Sequence, residues 1–305
     1  MSKINICICT YKRPNLLSDC LKSLEAIVVP TGTEVTVTVI DNDQTRSAEV
    51  LVTGLTDTFP FKIYYHCENK RGIPCARNRA VEETHHLGSD YLVFIDDDEW
   101  VEPPWLDLLY GYCQEQGGDI VVSGAVISEL PAGTPDYIRY IFNREQKPTG
   151  TLLGSCATNN VLVPIYLTKD LGLRFDESDP LAGGTDIKFF YEAVNAGVVI
   201  KRCAEVLVYE SVPENRTTLR WLSRRKFRGG ITKTWREKQS GCSSLSIIIS
   251  SSLKLVIELF TTVIKLLRGK QHEWSRHWLK ACRLLGRLFG VFGFKVDSYK
   301  NVDGH

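Results

Sequence analysis

The sequence predicts an α/β fold with a mostly parallel, doubly wound sheet and a C-terminal amphipathic helical extension. Apolar runs rich in β-branched residues alternate with helical patterns through residues 4–100, and polar residues follow each run. Strands that alternate with helices at this spacing pair in parallel. The extension is predicted from two long helical patterns after residue 240, each with a polar stripe.

The first two predicted strands end in residues that suit a nucleotide. Residues 4–9 form the first strand, and a hydroxyl, an aromatic ring and two cations follow it: Thr10, Tyr11, Lys12 and Arg13. Residues 35–40 form the second strand, which ends in Asp41-Asn42-Asp43. In open α/β sheets ligands bind beyond these carboxyl ends. Taken alone, the segment after the first strand would be interpreted as an ordinary strand-to-helix loop with Tyr11 packed on the surface.

A basic loop follows the third predicted strand, 63–66. It carries Gly72 and Pro74 and leads into a helix with Arg77 and Arg79 in its first turns. Positive charge near a helix N-terminus opposes the helix dipole, which costs free energy unless an anion binds there. The arrangement therefore favours a phosphate-bearing partner.

Three consecutive aspartates end the fourth predicted strand, 91–95. Asp96, Asp97 and Asp98 would raise one another's pKa unless a cation or strong hydrogen-bond donors compensate their charge. Hard cations such as Mg²⁺ bind at all-oxygen sites made of one or two carboxylates and substrate phosphates. The tripeptide is interpreted either as a metal-diphosphate site or as a solvated acidic turn.

Composition argues against several other classes of protein. The 305 residues are 43% hydrophobic with a net charge of +1, so the whole chain gives no nucleic-acid signal. Ten cysteines are scattered without a C-x-x-C pair, which is typical of neither a zinc site nor a disulfide framework. Because no apolar leader precedes the first strand, we expect the catalytic part to stay in the cytoplasm.

Five motifs in this order resemble those of the family 2 glycosyltransferases, which have the GT-A fold with a mixed, mostly parallel sheet. They are Thr10 to Pro14, Asp41 to Asp43, Gly72 to Asn78, Asp96 to Asp98, and Gly183-Gly184-Thr185-Asp186. Each match is weak alone, but five in order are specific. The motifs span roughly residues 4–230. The resemblance implies a catalytic domain of residues 1–240, with a nucleotide half to about residue 115 and an acceptor half from about 116.

The resemblance implies roles for the residues of the first two motifs. Thr10, Tyr11 and Arg13 would line the nucleotide pocket, with the Tyr11 ring against the base. Asp41, helped by Asn42, would accept hydrogen bonds from a uracil-like base or its ribose.

The later motifs would supply the diphosphate and acceptor chemistry. Arg77 and Asn78 would face the base and diphosphate, and Asp96 and Asp97 would touch ribose or metal-bound water. Asp98, together with Asp96, would ligate Mn²⁺ or Mg²⁺. Asp186 would be the general base, although a carboxylate that caps the following helix is the alternative. Many relatives carry Glu-Asp where this chain has Thr185-Asp186, which leaves a role for the preceding acid in doubt.

The acceptor side is less clearly marked. Residues 131–150 form a long polar segment that could border the acceptor opening. The run Thr158-Asn159-Asn160 resembles the family's acceptor wall but is equally a turn. Trp100 and Trp105 could stack on a sugar, and a helix start with buried aromatics explains them as well.

The last third of the chain combines basic residues with amphipathic patterns. Residues 216–238 interleave Arg and Lys with Trp and Phe, which suits nucleic acid, an anionic membrane or a lipid diphosphate. Residues 245–267 are apolar except for a polar stripe, and a spanning helix would bury Lys254 and Glu258 at roughly 2.5–3.5 kcal/mol each.

Residues 273–292 repeat the design with a basic stripe. We therefore expect residues 241–305 to form a membrane-associating tail that lies in the plane of the interface. The alternative is a helical pair packed on the catalytic domain as a soluble lid.

The expected function is inverting, metal-dependent transfer of a sugar from a nucleotide-diphosphate donor, with UDP as the expected nucleotide. The acceptor would be a lipid-linked glycan of bacterial surface-polysaccharide assembly, reached from the inner face of the cell membrane. The alternatives are a catalytically silent nucleotide-sugar-binding scaffold subunit and a metal-dependent phosphoesterase. A nucleic-acid partner is not expected, because wide apolar faces accompany the basic residues.

Overall fold

The computed structural model describes residues 1–142, 146–181, 183–269 and 272–294. Within these ranges the chain forms eight strands: β1 (Ser2–Thr10), β2 (Thr33–Asp41), β3 (Lys62–Cys67), β4 (Tyr91–Asp96), β5 (Glu99–Val101), β6 (Val121–Glu129), β7 (Val161–Pro164) and β8 (Ile200–Ser211). The helices that lie between β1 and β8 in the described ranges are α1 (Pro14–Leu24), α2 (Glu49–Gly54), α3 (Ile73–His86), α4 (Trp105–Glu115), α5 (Asp136–Phe142), α6 (Tyr166–Lys169) and α7 (Thr185–Asn195). A 3-10 helix (Glu214–Thr217) then leads into α8 (Leu219–Gln239), α9 (Ser244–Leu267) and α10 (Glu273–Val291).

The strands form one mixed sheet in the order β3-β2-β1-β4-β7-β6-β8-β5. β1 pairs in parallel with β2 and β4, β2 with β3, and β6 with β8. β7 is antiparallel to both β4 and β6, and β5 is antiparallel to β8. All strands except β5 and β7 therefore run in the same direction, so the predicted mixed, mostly parallel sheet is confirmed.

Apolar side chains fill both faces of the sheet, because successive strand residues point to opposite faces. Ile4, Ile6 and Ile8 of β1 are fully buried in a cluster that includes Leu17 and Leu21 of α1. A second cluster covers the other face with residues of β1, α3 and α7: Cys7, Ala76, Ala80, Phe189 and Phe190. The central strands are therefore anchored on both sides, which fixes where their carboxyl ends lie.

Strand register brings the ends of three strands together. Thr10 lies opposite Asp41 in the β1–β2 pair, and Cys9 lies opposite Asp96 in the β1–β4 pair. The loops that follow β1, β2 and β4 therefore meet at one edge of the sheet. We refer to this edge as the carboxylate edge.

The long polar segment, residues 131–150, contains the short helix α5. Its buried residues Ile138 and Ile141 pack with Leu222 of α8 and Leu279 of α10. The helix was not predicted because it has only seven residues, and the residues that it packs against lie far away in sequence.

The predicted C-terminal helices, 245–267 and 273–292, are confirmed as α9 and α10. α10 packs along both α8 and α9. Its crossing with α8 is very close, because a Cβ added to Gly286 would lie 1.9 Å from the carbonyl oxygen of Phe227. A Cβ added to Gly230 would lie 2.0 Å from the carbonyl oxygen of Arg283. The two helix backbones are therefore in direct contact.

Candidate active site

The carboxylate edge joins the first and fourth predicted motifs. The hydroxyl of Thr10 donates a hydrogen bond to Asp97 Oδ2 at 2.7 Å. The Arg13 guanidinium contacts Asp97 and donates from Nη1 to Asp98 Oδ2 at 3.1 Å. Asp97 is fully buried, so its contacts with Thr10 and Arg13 fix the loop after β1 onto the end of β4.

Negative charge at this edge is only partly compensated. Burial raises the pKa of Asp96 to about 6, and the charge of Asp98 adds to the shift. Burial also raises the pKa of Asp97 to about 7, although the Arg13 charge opposes the shift. A bound cation would relieve both effects, because it would stabilise the ionised carboxylates.

The residues present fit a hard divalent cation as a partial site. Within the described ranges no group of three or more His, Cys, Asp or Glu side chains could hold a metal ion alone. Asp97 is buried and already bound by Thr10 and Arg13. Asp96 and Asp98 are therefore the carboxylates nearest the surface that could bind a cation. Two carboxylates plus substrate phosphates are a common Mg²⁺ or Mn²⁺ arrangement, so the donor set is the one that a diphosphate would complete.

Arg77 and Asn78, in the first turns of α3, have different surroundings. Arg77 is buried, and its charge lowers the pKa of Asp96 while its Nη1 lies 3.5 Å from Thr185 Oγ1 of α7. The Asn78 amide donates to Phe175 O at 2.9 Å and to Glu177 Oε1 at 2.6 Å, and it accepts from Phe175 N. Arg77 thus faces the carboxylate edge, whereas Asn78 holds the segment around Phe175 and Glu177 that precedes α7. The contacts of Arg77 and Asn78 with a ligand remain predictions.

Asp41 and Asn42 support the loops around the expected base pocket. Asp41 is buried and accepts hydrogen bonds from Ala48 N at 2.8 Å and from the Tyr65 hydroxyl at 3.1 Å. Asn42 accepts from Gly72 N at 2.7 Å and donates to the carbonyl oxygens of Glu68 and Lys70. These contacts position the basic loop, and recognition of a base by Asp41 or Asn42 remains a prediction.

Tyr11 lies beside two cations. The Arg71 guanidinium is 5.0 Å from the Tyr11 ring centroid, and the ammonium of Lys12 is 5.5 Å from it. A cation near the face of an aromatic ring is attracted by the ring's quadrupole. The predicted contact between Tyr11 and a base would therefore take place next to the basic loop that Asn42 holds.

Asp186 lies in the first turn of α7 but does not cap it. The N-cap is Gly184, with φ of 92°, and no side chain makes a cap hydrogen bond. The Asp186 charge raises the pKa of Asp96, so the two carboxylates are within electrostatic reach. The described part of the chain supplies no hydrogen-bond donor to the Asp186 carboxylate, so its oxygens can accept a proton or a hydrogen bond from a ligand.

Arg216 is a site residue that the sequence did not identify. Its Nη1 lies 3.6 Å from Asp98 Oδ2, and its guanidinium lies 5.9 Å from the Trp221 ring centroid. The sequence showed only the start of a basic segment, because nothing local connects the residues after β8 with the end of β4. Arg216 therefore adds a third cation, beside Arg13 and Arg77, around the aspartates.

Helix α8 continues from Arg216 along α7. A Cβ added to Gly184 would lie 2.7 Å from Thr232 Cγ2, and the Lys188 ammonium lies 4.5 Å from the Trp235 ring centroid. α8 therefore borders the same end of α7 that carries Asp186.

Two residues predicted for the acceptor side are structural. Trp105 is 1% exposed, and its indole donates to Asn160 Oδ1 at 2.9 Å. The Asn160 amide also donates to the carbonyl oxygens of Ala125 and Val206, both at 2.9 Å, which joins β6 and β8 to β7. Of the two interpretations of Trp105, the structure contains the helix start with a buried aromatic, so Trp105 is not available to stack on a sugar. Trp100 stacks on Tyr209, with ring centroids 5.9 Å apart.

Glu99 is a second residue missed by the sequence analysis. It is 2% exposed, accepts from Asp96 N and Asn159 Nδ2 at 3.0 Å each, and its pKa is raised well above the ordinary value by burial. Asn159 of the predicted acceptor wall thus reaches the carboxylate edge through Glu99.

Comparison with known proteins identifies the family. Residues 5–160 match the profile of glycosyl transferase family 2. The chain belongs to this family. It is 37% identical over 302 residues to the succinoglycan biosynthesis protein ExoM of Rhizobium meliloti (strain 1021). The aligned residues cover 97% of this chain and 95% of ExoM. A second relative, glycosyltransferase GlyA of Streptococcus pneumoniae serotype 4, is 25% identical over 120 residues, or 39% of this chain and 16% of GlyA. The chain is therefore a glycosyltransferase.

Solved structures agree with this fold assignment. TarS 1-349 of S. aureus in complex with UDP superposes with a TM-score of 0.54 at 14% identity, over 94% of this chain and 91% of TarS. GalNAc-T7 with UDP, GalNAc and Mn²⁺ superposes with a TM-score of 0.56 at 13% identity, over 77% of this chain and 51% of GalNAc-T7. At these identities the likeness concerns the fold alone, and the predicted GT-A fold of this family 2 glycosyltransferase is confirmed.

Proposed function

We propose that this glycosyltransferase moves a sugar from a UDP-linked donor to a lipid-linked saccharide, with metal-dependent chemistry and inversion at the anomeric carbon. The observation that carries the proposal is the convergence on the carboxylate edge of three cations and of the Asp186 carboxylate, which has no hydrogen-bond donor among the described residues. Arg13 and Arg216 contact the aspartates, and Arg77 and Asp186 act on Asp96 electrostatically. The edge therefore combines groups for a diphosphate with a group for a hydroxyl.

The donor half of the reaction needs a stabilised diphosphate leaving group. Asp96 and Asp98 would hold a divalent cation that neutralises the diphosphate and stabilises the negative charge that develops as the sugar–oxygen bond breaks. Arg13, Arg77 and Arg216 surround the same carboxylates and can bind the phosphate oxygens that complete the site. TarS, which shares the fold, is known with UDP and with UDP-GlcNAc bound, and this supports UDP as the nucleotide.

The acceptor half needs a base. The Asp186 carboxylate, with no donor in the described structure, would take the proton of the acceptor hydroxyl as that oxygen attacks the anomeric carbon. Such positioned bases contribute on the order of 10²- to 10⁴-fold. Because Asp96 and Asp98 are assigned to the cation, Asp186 is the one carboxylate that we assign to the acceptor side, and we infer a single displacement with inversion.

The acceptor and the location are proposed from α9. Three residues of α9 are buried against the protein, and two of them are polar: Ser251 at 0% and Thr262 at 5% exposure, beside Ile247 at 2%. The outward side of α9 is apolar, with Leu253 at 65%, Val256 at 66% and Phe260 at 66% exposure. A soluble lid would bury the apolar side and expose the polar one, so this orientation favours an apolar environment around α9.

An in-plane position suits α9 better than a spanning one. By length and composition α9 could cross a membrane, with a mean hydropathy of 1.9. However, Glu258 of α9 is bound by His277 Nδ1 at 2.6 Å, and Lys280 Nζ lies 3.8 Å from it, so α10 accompanies α9 along its length. Insertion would carry the charged residues of α10 into the lipid at several kcal/mol in total. We therefore propose peripheral association with the inner face of the cell membrane.

The relative that covers nearly the whole chain suggests the biological role. ExoM is a succinoglycan biosynthesis protein. We accordingly infer a role in surface-polysaccharide biosynthesis, in which the acceptor saccharide is carried by a membrane lipid. The sugar and the linkage are set by a few pocket contacts, each worth about 1–3 kcal/mol in discrimination.

Calorimetric titration of the full chain with UDP, GDP, dTDP and CDP, each with and without Mn²⁺, tests the donor site. We expect Mn²⁺-dependent binding of UDP. The variant Asp98→Asn should lose the Mn²⁺ dependence, whereas Asp57→Asn, an exposed carboxylate in another loop, should keep it. Binding of none of the four nucleotides would contradict the proposal.

A further inference from the structure

The buried carboxylate of Glu99 connects the carboxylate edge with the loop that precedes β7. Both of its oxygens are used: Oε2 accepts a hydrogen bond from Asp96 N and Oε1 accepts one from Asn159 Nδ2, each at 3.0 Å. Glu99 is only 2% exposed, so water competes little for these two contacts. The carboxylate therefore holds the backbone of a proposed cation ligand and the side chain of Asn159 at the same time.

The next residue in the chain fixes the backbone at Asn159. Asn160 has a φ of 67°, a left-handed conformation that Asn adopts more readily than most residues. Its backbone N–H donates to Phe94 O at 3.0 Å, and its carbonyl oxygen accepts from Gly124 N at 2.9 Å. Since the Asn160 side chain is also bound on both of its polar atoms, Asn159 is attached to a rigid neighbour.

The loop that carries Asn159 extends between the proposed cation ligand and the proposed base. The antiparallel register of β4 and β7, continued by two residues, places Asn159 beside Asp96. Near the start of the loop, burial raises the pKa of the Cys156 thiol, and the Asp186 charge adds to the shift. One side of the loop is therefore near Asp186 and the other is near Asp96.

One atom of Asn159 remains available to a ligand. The side chain is half-buried, and no donor from the described ranges reaches its Oδ1. That oxygen is not enclosed either, since it is absent from the buried polar atoms that lack a partner. Because Glu99 accepts from the NH₂ group of the amide, the amide oxygen is turned away from Glu99. The pair thus presents a fixed hydrogen-bond acceptor to the site.

We propose that Asn159 Oδ1 accepts a hydrogen bond from a hydroxyl of the sugar being transferred, and that Glu99 is the positioning residue that turns this oxygen toward the sugar. During transfer the sugar lies between the cation, which holds its diphosphate, and the base, which activates the acceptor. The loop of Asn159 borders that space. The inference rests on the proposed function and adds a residue that contributes to the choice of sugar.

Calorimetry of the full chain with Mn²⁺ and without acceptor tests the contact. The ligands are UDP, UDP-glucose, UDP-galactose and UDP-N-acetylglucosamine, and we expect the wild-type chain to bind at least one of the UDP-sugars more tightly than UDP. Asn159→Ala should lower the affinity for that UDP-sugar by about three- to tenfold, the effect of one hydrogen bond, and leave the affinity for UDP unchanged. Asn195→Ala, which removes an exposed amide at the end of α7, should change neither affinity.

Exchanging the carboxylate and the amide tests the positioning role of Glu99. In Glu99→Gln the introduced amide would donate to Asn159 Oδ1, so Asn159 would turn its NH₂ group toward the sugar. Affinity for the UDP-sugar should then fall about as far as in Asn159→Ala, with the affinity for UDP unchanged. The double variant Glu99→Gln/Asn159→Asp keeps the net charge and presents an acceptor oxygen again, so most of the affinity should return. A merely structural role of Glu99 would not give this recovery.

The outcomes separate this inference from the proposed function. Equal affinity of the wild-type chain and Asn159→Ala for the UDP-sugar would overturn the contact, as would a wild-type chain that binds all three UDP-sugars no better than UDP. An effect of Asn159→Ala on the acceptor KM alone would also overturn it. If the double variant recovered no affinity, Glu99 would not be a positioning residue. All these results leave the donor site standing, whereas absence of UDP binding would overturn both proposals.

Discussion

At the scale of single residues, Asp186 has the most distinctive surroundings. It stands in the first turn of α7, near Asp96 and without a donor in the described structure. We expect Asp186→Asn to lower kcat by about 10²- to 10⁴-fold, because the amide cannot take the acceptor proton. Affinity for the UDP donor should stay near the wild-type value, measured by calorimetry. Loss of donor affinity would contradict the assignment of Asp186 as the base.

Arg216 is predicted to act on the donor side. Replacing Arg216 by Gln removes a cation 3.6 Å from Asp98 and should lower kcat by about 10²- to 10³-fold, since fixed positive charge stabilises the departing diphosphate. Steady-state kinetics at saturating donor measure the effect. Arg220→Gln, one turn further along and exposed, should change kcat less than threefold or so. If the two variants had equal activity, Arg216 would not be a site residue.

At the scale of elements, the α8–α10 crossing depends on glycine. Gly286→Ala should destabilise the fold by about 1–3 kcal/mol, because the new Cβ would overlap the Phe227 carbonyl oxygen at 1.9 Å and separate the helices. Denaturant unfolding measures the change. Gly229→Ala, with nothing within 4 Å of the added Cβ, should be neutral or stabilise α8 by up to about 1 kcal/mol. Equal effects would mean that the crossing tolerates a wider spacing.

The orientation of α9 gives a second prediction at this scale. The triple variant Leu253→Gln/Val256→Gln/Phe260→Gln removes apolar surface that is already exposed, so the fold should be retained and membrane binding lost. The control is Val50→Gln/Leu152→Gln/Val199→Gln, three exposed apolar residues of the catalytic part. Deletion from Gly241 is a less specific test, because it would also remove Leu279 and so uncover Ile138 and Leu222. Membrane fractionation of cells measures how much of each triple variant is membrane-bound, and the control should bind like the wild type.

At the scale of the whole molecule, the sequence predicted what is local and periodic. The strands ending at Thr10, Asp41 and Asp96 were recognised because a buried parallel strand is a short apolar run with polar residues after it. The contact of Arg216 with Asp98 was not, because a charge pair between distant segments leaves no periodic trace. The stripe on α9 was visible, but periodicity alone does not say which side faces the protein.

Helix α8 contacts α7 at Gly184 and α10 at Gly286, so one helix connects the proposed base, Asp186, with the helices proposed to lie on the membrane. The height of the catalytic centre above the lipid would then be constant. Only an acceptor saccharide whose growing end reaches that height would be used efficiently. We expect turnover in vesicles to fall when the acceptor saccharide is lengthened or shortened by one sugar between its lipid and its growing end. The same saccharides on a water-soluble carrier should show no such dependence, and equal profiles on both carriers would show that reach does not select the acceptor.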